Sequence, residues 1–160
     1  NYTEERDAQV DFSDAYYTSE DAFLVTEAFT STIADPLEVA QFKIGVQSGT
    51  VQDDWVTTEL VDAGLMPESQ LSRYERVDQA ALDLQSGRID VLVADSVPAQ
   101  AIMKQFGNLK IVYEGMLYTG PINIVLPDGD ATLQAEVNRI IKELQDEGFI
   151  ESLALQYFSE

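Results

Sequence analysis

Leu82-Asp83-Leu84-Gln85-Ser86-Gly87-Arg88-Ile89-Asp90-Val91-Leu92-Val93-Ala94-Asp95 is the stretch whose reading decides the fold. Its first half closes an apolar helical pattern that starts at Val77 and runs through Ala81, Leu82 and Leu84. Gly87 follows where a helix C-terminus takes a residue at positive φ. Asp90 then opens the continuous apolar run Val91 to Ala94, the pattern of a strand buried on both faces of a parallel sheet. The run ends on Asp95. In open α/β sheets ligands collect beyond the carboxyl ends of the strands, so a carboxylate at this point is a candidate to hold a cationic group. The same letters fit a plain helix cap, with Asp95 and Ser96 preceding the helix that Pro98 begins.

Towards the N-terminus, Lys43 to Val46 reads as a strand running into Gln47-Ser48-Gly49-Thr50, after which Val51, Trp55, Val56, Leu60 and Val61 repeat at helical spacing. A strand, a turn of small residues and a helix N-terminus present backbone N–H groups and the positive end of a helix dipole, which suits a carboxylate or phosphate. Simple N-capping by Ser48 or Thr50 accounts for the same letters. There is no Gly-x-Gly-x-x-Gly and no nucleotide-loop Lys, and Asp53 and Asp54 would oppose a polyanion, so a single carboxylate fits better than a triphosphate. Trp55 at helical spacing reads as core rather than as a stacking platform. Further upstream, Ala22 to Val25 is a short strand, and Asp35-Pro36 starts a short surface helix within Ser31 to Gln41. Thr3, Glu4 and Glu5 cap a helix that carries Arg6 near its start, where the charge works against the dipole. Arg6 is either a clamp on a carboxylate or a surface residue paired with a nearby acid.

Ser72 to Glu75 reads as a short strand before the helix at Val77, and beyond Asp95 a helix over Val97 to Phe106 closes at Gly107-Asn108 before the strand Lys110 to Tyr113. Ile122 to Leu126 is a strand broken off by the turn Pro127-Asp128-Gly129-Asp130. Asp128 and Asp130 lack the later acidic ligands of a calcium loop and read as a turn and helix cap. Leu133, Val137, Ile140, Ile141 and Leu144 form one face of a long helix closed by Gly148, and a final helix carries Ile150, Leu153, Tyr157 and Phe158. This alternation is that of a parallel α/β sheet.

At 160 residues and 45% hydrophobic content the chain can bury a sizeable core. Nine Lys and Arg against 29 Asp and Glu give a formal charge of −20, which argues against nucleic acid and anionic lipid as partners. The acids are spread along the chain and read as solvation suited to a salty medium. With no Cys and no His, zinc sites of the usual kinds, thiol nucleophiles and Ser-His-Asp triads are excluded, and no cofactor is called for. No apolar run approaches the roughly 20 residues needed to span a bilayer, and no basic stretch with an apolar h-region opens the chain.

Six motifs occur in one order: Thr3-Glu4-Glu5-Arg6; Val10-Asp11-Phe12-Ser13 with Tyr16-Tyr17; Val46-Gln47-Ser48-Gly49-Thr50; Gln85 to Asp90 with Ala94-Asp95; Pro127-Asp128-Gly129; and Tyr157-Phe158. Together they resemble the polar amino-acid family of extracellular solute-binding proteins that feed ABC importers (bacterial solute-binding protein family 3), and the match runs the whole length of the chain. The resemblance implies a periplasmic-binding-protein-like bilobal α/β fold that closes over a free amino acid. It implies residues 1–25 as the end of lobe 1 with the first hinge strand, 26–117 as a complete lobe 2, and 118–160 as the second hinge strand with C-terminal helices of lobe 1. Carried over residue by residue, the clamp on the ligand α-carboxylate is Arg6, helped by the Ser48-Gly49-Thr50 turn. The acceptor of the α-ammonium is Asp95. Asn1 falls where the family often has a Thr that touches the ligand, and Gln47 at a variable position that meets it.

Two departures from the family pattern stand out. The chain starts where the family is already well along, so the opening part of lobe 1, with the aromatic residues that sandwich the ligand side chain, is expected to be missing. The helices from Leu133 to Phe158 would then leave an apolar face open, and a fragment, a homodimer or a partner chain completing lobe 1 is expected. Ile122-Asn123 stands where the family often has Tyr-Gly; Asn tolerates unusual backbone angles, so the hinge is expected to survive, and its closing angle is what this departure puts in question. The function implied is a non-enzymatic substrate-binding component of an amino-acid importer, periplasmic or extracellular and anchored to the membrane, if at all, outside this chain. Its implied partners are a free amino acid, neutral polar or basic, and a membrane permease. The alternatives are a dehydratase of cyclic amino-acid precursors, which needs a cleft carboxyl group of raised pKa, and the sensor module of a membrane receptor or kinase.

Overall fold

The computed structural model describes residues 2–118 and 120–158. In chain order the elements are α1 (Glu4–Asp7), β1 (Asp11–Phe12), β2 (Tyr17–Thr18), β3 (Asp21–Thr26), β4 (Ile44–Gln47), α2 (Val51–Trp55) and β5 (Leu71–Tyr74). They continue with α3 (Val77–Gln85), β6 (Val91–Asp95), α4 (Ser96–Phe106), β7 (Leu109–Gly115), β8 (Pro121–Ile122), β9 (Val125–Leu126), α5 (Ala131–Asp146) and α6 (Phe149–Phe158). The chain divides into two compact units, Glu20–Tyr118 and the flanking pair Asn1–Ser19 with Thr119–Glu160.

The unit Glu20–Tyr118 is built on a five-stranded sheet in the order β5-β4-β6-β3-β7. Here β4 runs parallel to β5 and β6, whereas β3 is antiparallel to both β6 and β7. The all-parallel sheet anticipated from the strand–helix alternation is therefore corrected to a mixed one. The apolar run of β6 reports burial on two faces and carries no information on the direction of its neighbour. β3 is the fourth strand of this sheet.

Strand alternation divides the core. Phe23, Val25, Ile44, Val46, Val91 and Val93 pack with Trp55, Val56 and Leu60 on the face that α2 covers. Ala22, Leu24 and Leu92 pack with Ala80, Ala81, Leu84, Ala99 and Ile102 of α3 and α4 on the other. Trp55 is 4% exposed and stacks obliquely near Phe23, with ring centroids 6.1 Å apart, so it is core. The helix end at Gly87 and the closure of α4 at Gly107 and Asn108 both use positive φ, as the sequence reading required. Asp35 caps a 3₁₀ segment, Pro36–Gln41, with a capping box to Glu38, and α2 continues as a wider π segment, Val56–Asp62.

In the flanking unit, β1 pairs antiparallel with β9 and β2 with β8. The single strand expected over Ile122 to Leu126 is interrupted, because Ser13 enters the ladder: its Oγ accepts the Ile124 N–H at 2.9 Å and its carbonyl accepts Asn123 Nδ2 at 2.8 Å. Asp130 caps α5 by accepting the Leu133 N–H at 3.0 Å, the helix-cap role read for it. Among the described residues of α5 only Ile141 is buried, while Leu133 and Ile140 are 39% and 41% exposed.

Candidate functional site

Asp95 is the last residue of β6 and the N-cap of α4: its carboxylate accepts the Val97 N–H at 3.3 Å. The helix-cap reading of Asp95 thus holds. Asp95 is half-buried. By alternation from Val91 and Val93 it falls on the face that α2 covers, the face that also carries the turn after β4.

That turn is more occupied than a bare helix tip. Ser48 donates its N–H to the Tyr74 carbonyl at 2.8 Å. Gly49, at φ +72°, donates its N–H to Asp53 Oδ2 at 3.0 Å. Thr50 caps α2 by accepting the Asp53 N–H at 3.3 Å and donates its hydroxyl to the Gln47 carbonyl at 2.8 Å. The expectation that the backbone N–H groups of this turn stand open is corrected at Ser48 and Gly49. Asp53 in the first helical turn reaches back and takes one of them, as the acid of a capping arrangement does. Asp53 is 7% exposed, and Arg73 of β5 neutralises it, with Nε 2.7 Å from Oδ1. Arg73 also donates to Glu68 Oε1 at 2.5 Å and to Thr57 Oγ1 at 2.8 Å, and the Glu68 contact leads in holding its guanidinium pKa above the ordinary value.

Gln47 ends β4 and donates Nε2 to the Glu75 carbonyl at 3.3 Å. It opens on a cleft of about 500 Å³ floored by Val77, Pro98 and Ile102, beside an Arg76–Asp78 pair whose two contacts are 2.9 and 3.0 Å. Arg6 lies in the flanking unit on α1, half-buried, where its N–H donates to Thr3 Oγ1 at 3.2 Å. The helix is only four residues long, so Arg6 sits in its last turn as well as its first. The dipole penalty expected for it vanishes, since a cation at a helix C-terminus is favourable. Asn1 lies outside the described residues.

Sequence reasoning missed Asp21, Gln52 and the Asp53–Arg73 pair. Asp21 is 5% exposed; Gln52 Nε2 donates to its Oδ1 at 2.5 Å, and the Leu117 N–H to its Oδ2 at 3.0 Å. Burial raises its carboxyl pKa above the ordinary value, and Asp95 and Glu20 add to the rise against the pull of the two donors. The signal was available: Asp21 shares its strand face with Phe23 and Val25, and a charge in an apolar row stands out. Among the described residues no group of three or more His, Cys, Asp or Glu is arranged to hold a metal, and no helix is long and apolar enough to cross a membrane.

Comparison with known proteins gives the context of this geometry. The chain is 30% identical to an L-arginine-binding protein of Pseudomonas aeruginosa over 98% of its own length, and it spans 61% of that relative. Among solved structures it is similar to an ancestral arginine-binding protein bound to arginine, with a TM-score of 0.83 and 29% identity over 99% of this chain and 68% of that one. It is also similar to the ancestral amino-acid-binding protein AncCDT-1, described as a precursor of cyclohexadienyl dehydratase, with a TM-score of 0.80 and 26% identity over 99% and 65% of the two chains. Residues 1–160 match the sequence pattern of one family throughout, and the chain belongs to the bacterial extracellular solute-binding proteins, family 3.

Proposed function

We propose that this chain is the ligand-holding part of a substrate-binding component of an ABC-type amino-acid importer, acting outside the cytoplasm and handing its ligand to a membrane permease. Arg6 and the tip of α2 at Thr50 hold the α-carboxylate of a free amino acid. Asp95 holds the α-ammonium, and Gln47 and Asn1 add contacts. The reading rests on Asp95, a half-buried carboxylate at the carboxyl end of a central strand, on the face covered by the helix whose N-terminus favours an anion. A zwitterion supplies the complementary pair of charges. The Asp53–Arg73 pair fixes the turn, so Thr50 and the first turn of α2 rather than Gly49 serve the carboxylate. A basic amino acid is the preferred ligand, in line with the arginine-binding relatives.

A dehydratase acting on cyclic amino-acid precursors is the second reading. It is favoured by the AncCDT-1 likeness and by Asp21, a carboxyl group of raised pKa beside Asp95. Its burial under Gln52 keeps it from a substrate, which places this reading second. Thermal-shift screening of the chain against the common amino acids tests both. A basic amino acid raises the melting temperature, and Asp95→Ala and Arg6→Ala each abolish the rise while the variants remain folded. No shift with any amino acid rejects the binding reading, and turnover of a cyclic precursor would promote the enzyme.

A further inference from the structure

Asp21 occupies a position where packing asks for an apolar residue. It precedes Phe23 and Val25 in the row that faces α2, and at 5% exposure its carboxylate is out of reach of bulk water. Its register partners are Asp95 on β6 and Gly115 on β7. Like charges directly opposed across a ladder destabilise a sheet, and burying a carboxylate adds to the cost. Each of its oxygens takes one donor, Gln52 Nε2 from α2 and the Leu117 N–H from the segment after β7, an arrangement that suits the ionised form.

Gln52 is the second residue after the Thr50 cap, so its tether acts on the first turn of α2. Asp53 of the same turn is held by Arg73 of β5, on the other flank of β4. With strand order β5-β4-β6-β3, the turn that leaves β4 is braced towards β5 by one pair and towards β3 by the other.

We propose that Asp21 is a positioning residue of the ligand site: through Gln52 it fixes the first turn of α2 against the end of β6, so that the helix tip and Asp95 keep the separation of the two charged ends of one amino acid. This rests on the function proposed above. Asp21 does not touch the ligand; it sets the distance between the groups that do.

The test is calorimetric titration of L-arginine into the 160-residue chain and its Asp21→Ala, Gln52→Leu, doubly substituted and Asp21→Asn variants, with ligand-free ¹H–¹⁵N spectra of each. Asp21→Ala and Gln52→Leu each weaken arginine binding about tenfold, the size of one charged hydrogen bond. The double variant is no weaker than the weaker single, because the two residues act as one unit. Asp21→Asn stays within about threefold, since its amide accepts from Leu117 and donates to a turned Gln52. In the spectra, Asp21→Ala and Gln52→Leu shift the amides of residues 50–53 while those of α3, on the far face of the sheet, stay in place. Arginine binding by Asp21→Ala equal to that of the unsubstituted chain overturns the proposal, as do multiplicative losses in the double variant or unshifted amides at 50–53. If the unsubstituted chain binds neither arginine nor any other amino acid, the proposed function itself fails, and the ligand role of Asp21 with it.

Discussion

The unit Glu20–Tyr118 and the unit that flanks it treat apolar surface in opposite ways. In the first, Phe23, Leu24, Ile44 and Leu92 are 0% exposed, and helices cover the sheet on both faces. In the second, among the described residues, α5 buries Ile141 alone, and Leu133, Ile140 and Phe149 stay between 39% and 48% exposed. The difference locates the rigidity of the first unit. Asp95, Gln47 and the Ser48–Thr50 turn hang on strands of a closed core, whereas Arg6 lies on a four-residue helix of the other unit. Local stability follows buried contact, so the strand ends and the turn of the first unit are firmly held.

Core substitutions sharpen that contrast most. Leu92→Ala, with its side chain fully enclosed, should cost about 3 kcal/mol in urea unfolding followed by the single Trp55. A cost near zero would mean that the sheet is not the source of rigidity. Gly45→Ala comes next: a Cβ there would lie 2.4 Å from Ile89 Cδ1 and 3.1 Å from Tyr74 Cε2, and overpacking of this kind costs about 1–3 kcal/mol. The lower end of that range is expected, because the obstructing atom is the end of a flexible side chain.

Asp21 gives a change of sign. Its folded pKa lies above the ordinary value of 3.8, so the folded protein keeps a proton that the unfolded chain has released. The stabilisation from this group is complete below 3.8 and is lost as pH climbs through the folded value. Asp21→Asn should therefore raise the melting temperature at pH 7, with the gain fading as the pH falls below the carboxylate range. A gain that is the same at every pH would refute the linkage. The smallest effect is expected at Ile140→Gln in α5, within about 0.5 kcal/mol of the unsubstituted protein. A loss as large as that of Leu92→Ala would erase the comparison altogether.

What the sequence revealed and what it withheld divide along physical lines. The helix end at Gly87, the enclosed strand Val91 to Asp95 and the Asp95 cap were legible because each depends on local backbone needs or on burial, which composition reports. The reversed direction of β3 was not, since direction depends on a partner strand far away in the chain. Nor were β1 and β2, whose two residues each are too few to show alternation. At the site, the residue types and their order pointed to Ser48, Gly49, Thr50 and Asp95, but not to the use of the Gly49 N–H by Asp53, which depends on how an acidic side chain folds back inside one turn. Asp21 was legible in principle from its strand face; what it bonds to, Gln52 and the Leu117 N–H, was not.

The central claim is that one amino acid is gripped at both of its charged ends. Calorimetric titration of the chain with L-arginine, N-acetyl-L-arginine and L-argininamide tests it most directly. Blocking the ammonium removes the partner of Asp95 and blocking the carboxylate removes that of Arg6 and the α2 tip, so each derivative should bind about a hundredfold more weakly than arginine. Binding of either derivative as tightly as arginine would contradict the account.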